Sequence, residues 1–248
     1  MTLFEAIISG IVQGLTEFLP ISSSGHLVIL HRIIGLQEPQ IAFDIFLHVG
    51  TLIAIFIVFW RDILDVFGSK KKTGILILLG TAPTAIFIAL FGEKVAASFT
   101  NVRFVGAMLI VTGLWLILGN FFRYGTTQFS GFKAIFIGLA QGIATFPGIS
   151  RSGATISTAL FLGIDPKSAA RFSFLLAIPA IIGAFLLKIK DFSLNGSNMN
   201  NYILGLVVSC IVGILSLKLL LRVLYRNKFH LFGIYCIVAG LLVLGFLK

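Results

Sequence analysis

The chain has 248 residues, of which 58% are hydrophobic and only 11% charged, and its mean hydropathy is +1.06. That balance lies outside the range of soluble domains and makes this an integral membrane protein. Its net charge of +10 needs no nucleic acid as partner, because basic connections held against anionic membrane lipids account for it.

Apolar segments run in chain order over 3–18, 23–34, 41–60, 74–92, 102–119, 132–146, 152–163, 169–187, 202–221 and 230–247, ten helical segments in an all-α chain. Crossing a hydrocarbon layer of roughly 30 Å takes about 20 residues, so the first, second, sixth and seventh segments are too short to cross singly. Each short pair breaks at Pro20 or at Pro147 and Gly148, after which Ser22–Ser24 and Ser150–Ser152 offer cap oxygens to a restarting helix. Both pairs therefore read as re-entrant helix-loop-helix hairpins, whose irregular backbone needs protein or a wet cavity around it. Met1–Phe18 has neither a basic leader nor a small-residue cleavage site and reads as mature structure. Cys210 and Cys236 lie inside apolar segments without ligand spacing and read as packing residues.

Residues 13–26 recur as residues 141–154, and Gly106, Ile110, Val111, Gly113 and Leu114 recur as Gly233, Ile237, Val238, Gly240 and Leu241. The chain thus reads as one membrane domain built from two five-helix halves, 1–124 and 125–248, with the boundary near Tyr124 to Ser130. If neither hairpin makes a net crossing, each half has three spans. Three is odd, so the second half enters inverted. The expected fold is an inverted-topology repeat with six transmembrane spans and two re-entrant hairpins. Eleven Lys and Arg residues fall on one side, among them Arg61, Lys70–Lys72, Lys167 and Arg171, and six on the other, among them Lys94 and Arg103. The first side is then cytoplasmic, both termini lie outside, and the first hairpin enters from the exterior of the plasma membrane. Lys70–Lys72 read as a headgroup-facing topology signal, and Asn195–Asn201 as a polar exterior loop.

The two copies agree at Gln13/Gln141, Gly14/Gly142, Ser22/Ser150 and Gly25/Gly153, yet Glu17 faces Thr145, Ser23 faces Arg151 and His26 faces Ala154. This pattern suggests two loops that meet and bring different groups to one site. Ionisable groups are costly at membrane depth, which makes Glu17, His26 and Arg151 candidates for function. Gln13 and Glu17, four apart, share a helix face and offer hard oxygen ligands suited to Mg2+ or Ca2+, or else brace the hairpin. Ser22, Ser23, Ser24 and Gly25 open a half-helix whose free N–H groups bind anions. His26 comes next as a candidate base or nucleophile. In the second loop Gly148, Ser150, Ser152 and Gly153 surround Arg151, which reads as a bidentate phosphate clamp or as the partner of Glu17 in a buried ion pair. Asp44 and His48 read as a further polar shell or as a brace.

The motifs Gln13-x-x-x-Glu17, Ser22-Ser23-Ser24-Gly25-His26 and Pro147-Gly148-Ile149-Ser150-Arg151-Ser152-Gly153, with Phe43-Asp44 and His48-Val49-Gly50-Thr51, resemble those of the undecaprenyl-diphosphatase family, the bacitracin-resistance type. The resemblance covers essentially the whole chain. It implies hydrolysis of undecaprenyl diphosphate to the monophosphate and orthophosphate, recycling the carrier of peptidoglycan synthesis, with a divalent cation. Glu17, His26 and Arg151 match the family's catalytic positions, and Ser23 and Ser24 accompany them. Family members carry Glu or Gln at position 13 and Thr in the place of Ser24. A phosphatidic-acid-type phosphatase fits poorly, since its second His has no counterpart except His230. A polyprenyl-phosphate transporter or flippase on the same repeat is the alternative. Gly106 and Gly113 permit close helix packing within one chain or between the chains of a homodimer.

Overall fold

The computed structural model describes residues 2–36, 40–119, 125, 128–188, 199–225 and 228–247. Among these, all regular structure is helical: α1 (Leu3–Phe18), α2 (Ser23–Ile33), α3 (Ile41–Val58), α4 (Trp60–Phe67), α5 (Lys71–Ser98), α6 (Val102–Gly119), α7 (Gly131–Ile143), α8 (Arg151–Phe161), α9 (Pro166–Lys188), α10 (Met199–Tyr225) and α11 (His230–Phe246). Four of them, α5, α6, α9 and α10, are long and apolar enough to cross a membrane, and α3 with α4 forms a fifth such unit bent by 77°. The protein is a multi-pass helical membrane protein.

Two sequence expectations are corrected. The described residues form eleven helices rather than ten, because Trp60, Ile63, Leu64 and Phe67 recur at helical spacing and form α4 in what read as a connection. The supposed loop at Asn195–Asn201 gives way to helix at residues 199–201, which open α10; residues 195–198 lie outside the described residues, as does Tyr124 at the expected repeat boundary. The start of α1 carries a capping box that the pattern reading passed over. Glu5 N–H donates to Thr2 Oγ1 at 3.2 Å and Thr2 N–H donates to Glu5 Oε2 at 2.7 Å.

Glycine seams set the helix pairs. A Cβ on Gly10 or Gly14 would lie 2.8 Å from the carbonyl oxygens of Gly205 or Ser209, so α1 meets α10 backbone to backbone. Gly138 likewise meets the Gly80 carbonyl where α7 lies on α5. Where α6 lies on α11, Gly113 faces Gly233 and Gly106 faces Gly240, so the two helices run antiparallel. Both of these α6 glycines are thus used within the chain. Phe18, at the end of α1, packs edge-on against Phe174 of α9 at 5.7 Å, and Phe59 packs against Phe174 at 5.6 Å. This aromatic stack anchors the first hairpin to the second half of the chain.

Candidate active site

Each short pair turns inside the protein. The first break runs from Leu19, extended at φ −62° and ψ 140°, through Pro20 to Ser22, which holds φ +70° without being glycine. The second turns at Gly148, with φ +97°. Ser22 Oγ accepts from Gly25 N–H at 3.3 Å, capping α2, and from Gly148 N–H at 3.1 Å across the two loops. Thr112 of α6 closes the second loop, donating to Gly148 O at 2.8 Å and accepting from Ser150 N–H at 3.0 Å. Ser150 Oγ caps α8 by accepting from Gly153 N–H at 3.1 Å. Ser152 Oγ reaches back to Leu19 O at 3.5 Å. The loops of the two hairpins are therefore bonded to each other.

Removing the Ser22 hydroxyl leaves two buried N–H donors without partners. Ser22→Ala is expected to lower stability by about 2–4 kcal/mol. A thermal melt of the detergent-purified variant that overlays the parent would contradict the cross-loop bond.

The cross-link brings together the first residues of two helices, Ser23 of α2 and Arg151 of α8, with Glu17 at the end of α1 between them. Glu17 is 6% exposed. Its Oε1 accepts from Arg151 Nη2, while its Oε2 accepts from Ser23 Oγ at 2.5 Å and from Gln13 Nε2 at 3.0 Å. His48 Nε2 of α3 stands 3.4 Å from the same oxygen, and its Nδ1 faces Asp44 O at 2.7 Å, so Nδ1 carries the proton. Two polar atoms at the cluster are buried without a hydrogen-bond partner, Arg151 Nη1 and Gln13 Oε1.

This cluster floors a cavity of about 380 Å³. Its polar lining comes from Glu17, Ser23, Ser24, Asp44, His48, Thr84, Gln141, Thr145, Ser150 and Arg151. The wall beyond is apolar, formed by α5 through Ile88 and Val95, by Phe99 just past its end, and by α9 through Ala180, Ile181 and Ala184. Such a cavity suits an amphiphile with an anionic head and a hydrocarbon tail. Gln13 lies behind Glu17 and does not border the cavity. In the second hairpin Gln141 Nε2 donates to Thr84 Oγ1 at 3.2 Å, and Thr145 Oγ1 donates to Gly142 O at 2.7 Å. The hydroxyl that stands where the first copy has Glu17 is thus spent on its own backbone. Among the described residues no three His, Cys, Asp or Glu side chains form a metal-binding group by themselves.

Residues 6–242 match the family model described as bacitracin resistance protein BacA. The chain belongs to this family. It is similar to proteins named undecaprenyl-diphosphatase from Halothermothrix orenii, 42% identical over 253 residues with 98% of each chain covered, and from Desulfosudis oleivorans, 43% identical over 261 residues with 95% of each covered. A third of that name, from Korarchaeum cryptofilum, is 39% identical over the full length of both chains.

In this BacA-family chain, six of the residues singled out from the sequence meet around one carboxylate or its loops: Gln13, Glu17, Ser22, Ser23, Arg151 and Ser150. Ser24 borders the cavity, with its Oγ 3.4 Å from Ser22 Oγ. Gly25 and Gly153 serve through their N–H groups, and Gly25 also lets the loops close, since a Cβ there would lie 3.0 Å from Gly148 Cα. His26 is not brought to the cluster. Its Nδ1–H donates to Ser22 O at 2.8 Å, and its Nε2 accepts from Tyr235 O–H at 2.8 Å, with the two rings stacked at 5.7 Å.

Sequence reasoning missed Thr112 and Tyr235. Both lie in the stretch repeated at an offset of 127, where their counterparts are Ala239 and Met108. The contrast between copies that exposed Glu17 was present there too.

Proposed function

We propose that the chain hydrolyses undecaprenyl diphosphate to undecaprenyl phosphate and orthophosphate, the activity its relatives are named for. It thereby returns the lipid carrier to cell-wall synthesis and confers bacitracin resistance. The observation that carries this reading is one carboxylate, Glu17, held by the first residues of two facing half-helices at the floor of an apolar cavity. The polyprenyl tail lies along the wall of α5 and α9, and the diphosphate meets Ser24, the helix N-termini and Arg151.

Arg151 gives Nη2 to Glu17 and has Nη1 left for a phosphate oxygen. Ser23 Oγ attacks the terminal phosphorus as its proton passes to Glu17 Oε2. The new Oγ–P bond forms as the bridging P–O bond breaks, and its electron pair leaves with undecaprenyl phosphate. Water then attacks the phosphoserine, and the departing Ser23 oxygen recovers the proton from Glu17. Orthophosphate is released, together with one proton from the water. His26 acts by position: its bonds to Ser22 O and Tyr235 hold the turn that aims Ser23.

Mg2+ or Ca2+ fits this site through hard oxygens, the Glu17 carboxylate and the buried, unpartnered Oε1 of Gln13. Glu17 would hold the ion from the cavity side, and Gln13, which lies behind it and now gives Nε2 to the carboxylate, would reach the ion by turning its amide over; the bound ion would neutralise diphosphate charge.

The finer topology is part of the same reading. Gly106 and Gly113 of α6 face Gly240 and Gly233 of α11, and these are each other's counterparts in the two copies. That self-complementary antiparallel pairing supports an inverted repeat of halves 1–124 and 125–248, with α3, α5, α6, α9, α10 and α11 as its six spans. Val95, Ala96 and Phe99 line the cavity at the end of α5, beside the connection between Lys94 and Arg103 that charge places outside. The site then opens to the exterior, where both termini also lie. A transporter reading finds no such support, because a carrier has no need of a serine hydrogen-bonded to a buried carboxylate.

The test is orthophosphate release from undecaprenyl diphosphate by the purified chain in detergent, with Mg2+, with Ca2+ and with EDTA. Release is expected with either cation and to fall at least about tenfold with EDTA. Direct Mn2+ binding, read by its paramagnetic resonance signal, is expected to weaken in Gln13→Ala. Turnover at the full rate in EDTA would remove the cation from the reading, and no turnover from folded protein would remove the hydrolase.

A further inference from the structure

The helix that sequence reasoning missed carries a surface the catalytic site does not use. α4 leaves α3 at Phe59 with a bend of 77°. In the topology proposed above α3 is a span, so a helix bent from it by 77° runs close to the membrane plane. Ile63 and Val66 turn inward and pack on the core. Trp60, Leu64 and Phe67, one turn apart on the other side, are 52%, 61% and 77% exposed. Three large apolar side chains on one short helix would each forgo the gain of burial if left in water.

The charges beside them have one sign. Asp62 is paired with Arg171 of α9 at 3.3 Å, and Asp65 with Lys70 at 2.7 Å, so both acids of α4 are neutralised within the chain. Arg61 lies over the Trp60 ring at 5.1 Å. Lys71 and Lys72, which open α5, are exposed and come directly after. An aromatic and aliphatic ridge bordered by unneutralised cations matches the boundary between acyl chains and anionic headgroups.

We infer that α4 docks on the anionic headgroup layer of the membrane, with Trp60, Leu64 and Phe67 set into the acyl boundary and Arg61, Lys71 and Lys72 against lipid phosphates. The contact is separate from the cavity floor, since none of these residues lines it. It ties the bend after α3, the helix that carries His48 and Asp44, to the lipid surface.

The chain contains two tryptophans, Trp60 and Trp115, which makes Trp60 readable. The full-length chain with Trp115→Phe is reconstituted in phosphatidylcholine vesicles, with lipid brominated either just below the headgroup or near the chain end. Trp60 emission is expected to be quenched at least about twofold more by the shallow label. Adding phosphatidylglycerol is expected to shift the emission to the blue, and Lys71→Gln/Lys72→Gln is expected to remove that shift. Should Trp115→Phe fail to fold, the difference between the parent and Trp60→Phe reports the same signal. Quenching by aqueous acrylamide with no effect of either bromolipid would overturn the inference. So would shielding that vanishes when the protein is diluted into excess lipid, which would mark a second copy as the occupant. A response identical with and without phosphatidylglycerol would overturn the anionic preference.

Discussion

Arg151→Lys is expected to lower kcat/KM for undecaprenyl diphosphate by about two to three orders of magnitude while keeping the positive charge. The reason is a division of labour within one guanidinium. Nη2 is bonded to Glu17, and Nη1 is buried without a partner in a residue that borders the cavity. A planar fork can hold a carboxylate with one arm and a phosphate oxygen with the other, whereas an ammonium is a single point on a flexible stem. Lysine therefore keeps the pair with Glu17 or reaches the phosphate. Arg151→Ala is the harsher change, because it leaves the buried Glu17 carboxylate without its guanidinium partner, a loss of about 3–5 kcal/mol in stability. Orthophosphate release and a thermal melt on both variants separate the two effects. A lysine variant turning over within about threefold of the parent would exclude the clamp.

Ser23→Ala is expected to lower kcat by about three orders of magnitude or more with little change in KM. Ser23 Oγ is 2.5 Å from Glu17 Oε2 and both border the cavity, so the hydroxyl has its proton acceptor in place before substrate arrives. Acid-quenching the parent during turnover is expected to trap phosphate on the peptide that contains Ser23. Glu17→Gln, which preserves shape but cannot take the proton, is expected to abolish that label. If Ser23→Ala retains a tenth or more of the activity and no phosphoserine is found, Glu17 activates water directly and Ser23 only orients it.

The helices and their breaks were largely legible because their signals are local. Pro20, Pro147 and Gly148 fall in the breaks, where a missing donor and fixed or positive φ keep the helix from continuing, and the serines after them cap α2 and α8. Apolar runs of the right length mark the long helices without reference to any neighbour. α4 escaped because its eight residues mix Arg61, Asp62 and Asp65 with apolar positions. A window wide enough to find spans averages that alternation away.

The pairing of Glu17 with Arg151 was legible as one of two options, since the copies differ at those positions. The position of His26 was not. Its distance along the chain from Ser23 says nothing about the direction of its ring, which Tyr235, 209 residues away, decides.

By itself the sequence determined the membrane class, the motif that occurs twice, the two breaks between short helices and the residue types that gather at them. Each of these rests on composition, period or backbone chemistry within a few residues. Only the tertiary structure decided which tips meet, through the Ser22 bond to Gly148 and the Thr112 bonds to Gly148 and Ser150. It also decided that Ser23 and Arg151 share one carboxylate while the His26 ring is bonded to Ser22 O and Tyr235. Those outcomes depend on glycine seams that let α1 lie on α10 and α6 on α11 at backbone contact. Close approach is a property of pairs of surfaces, and no single stretch of chain encodes which surface it will meet.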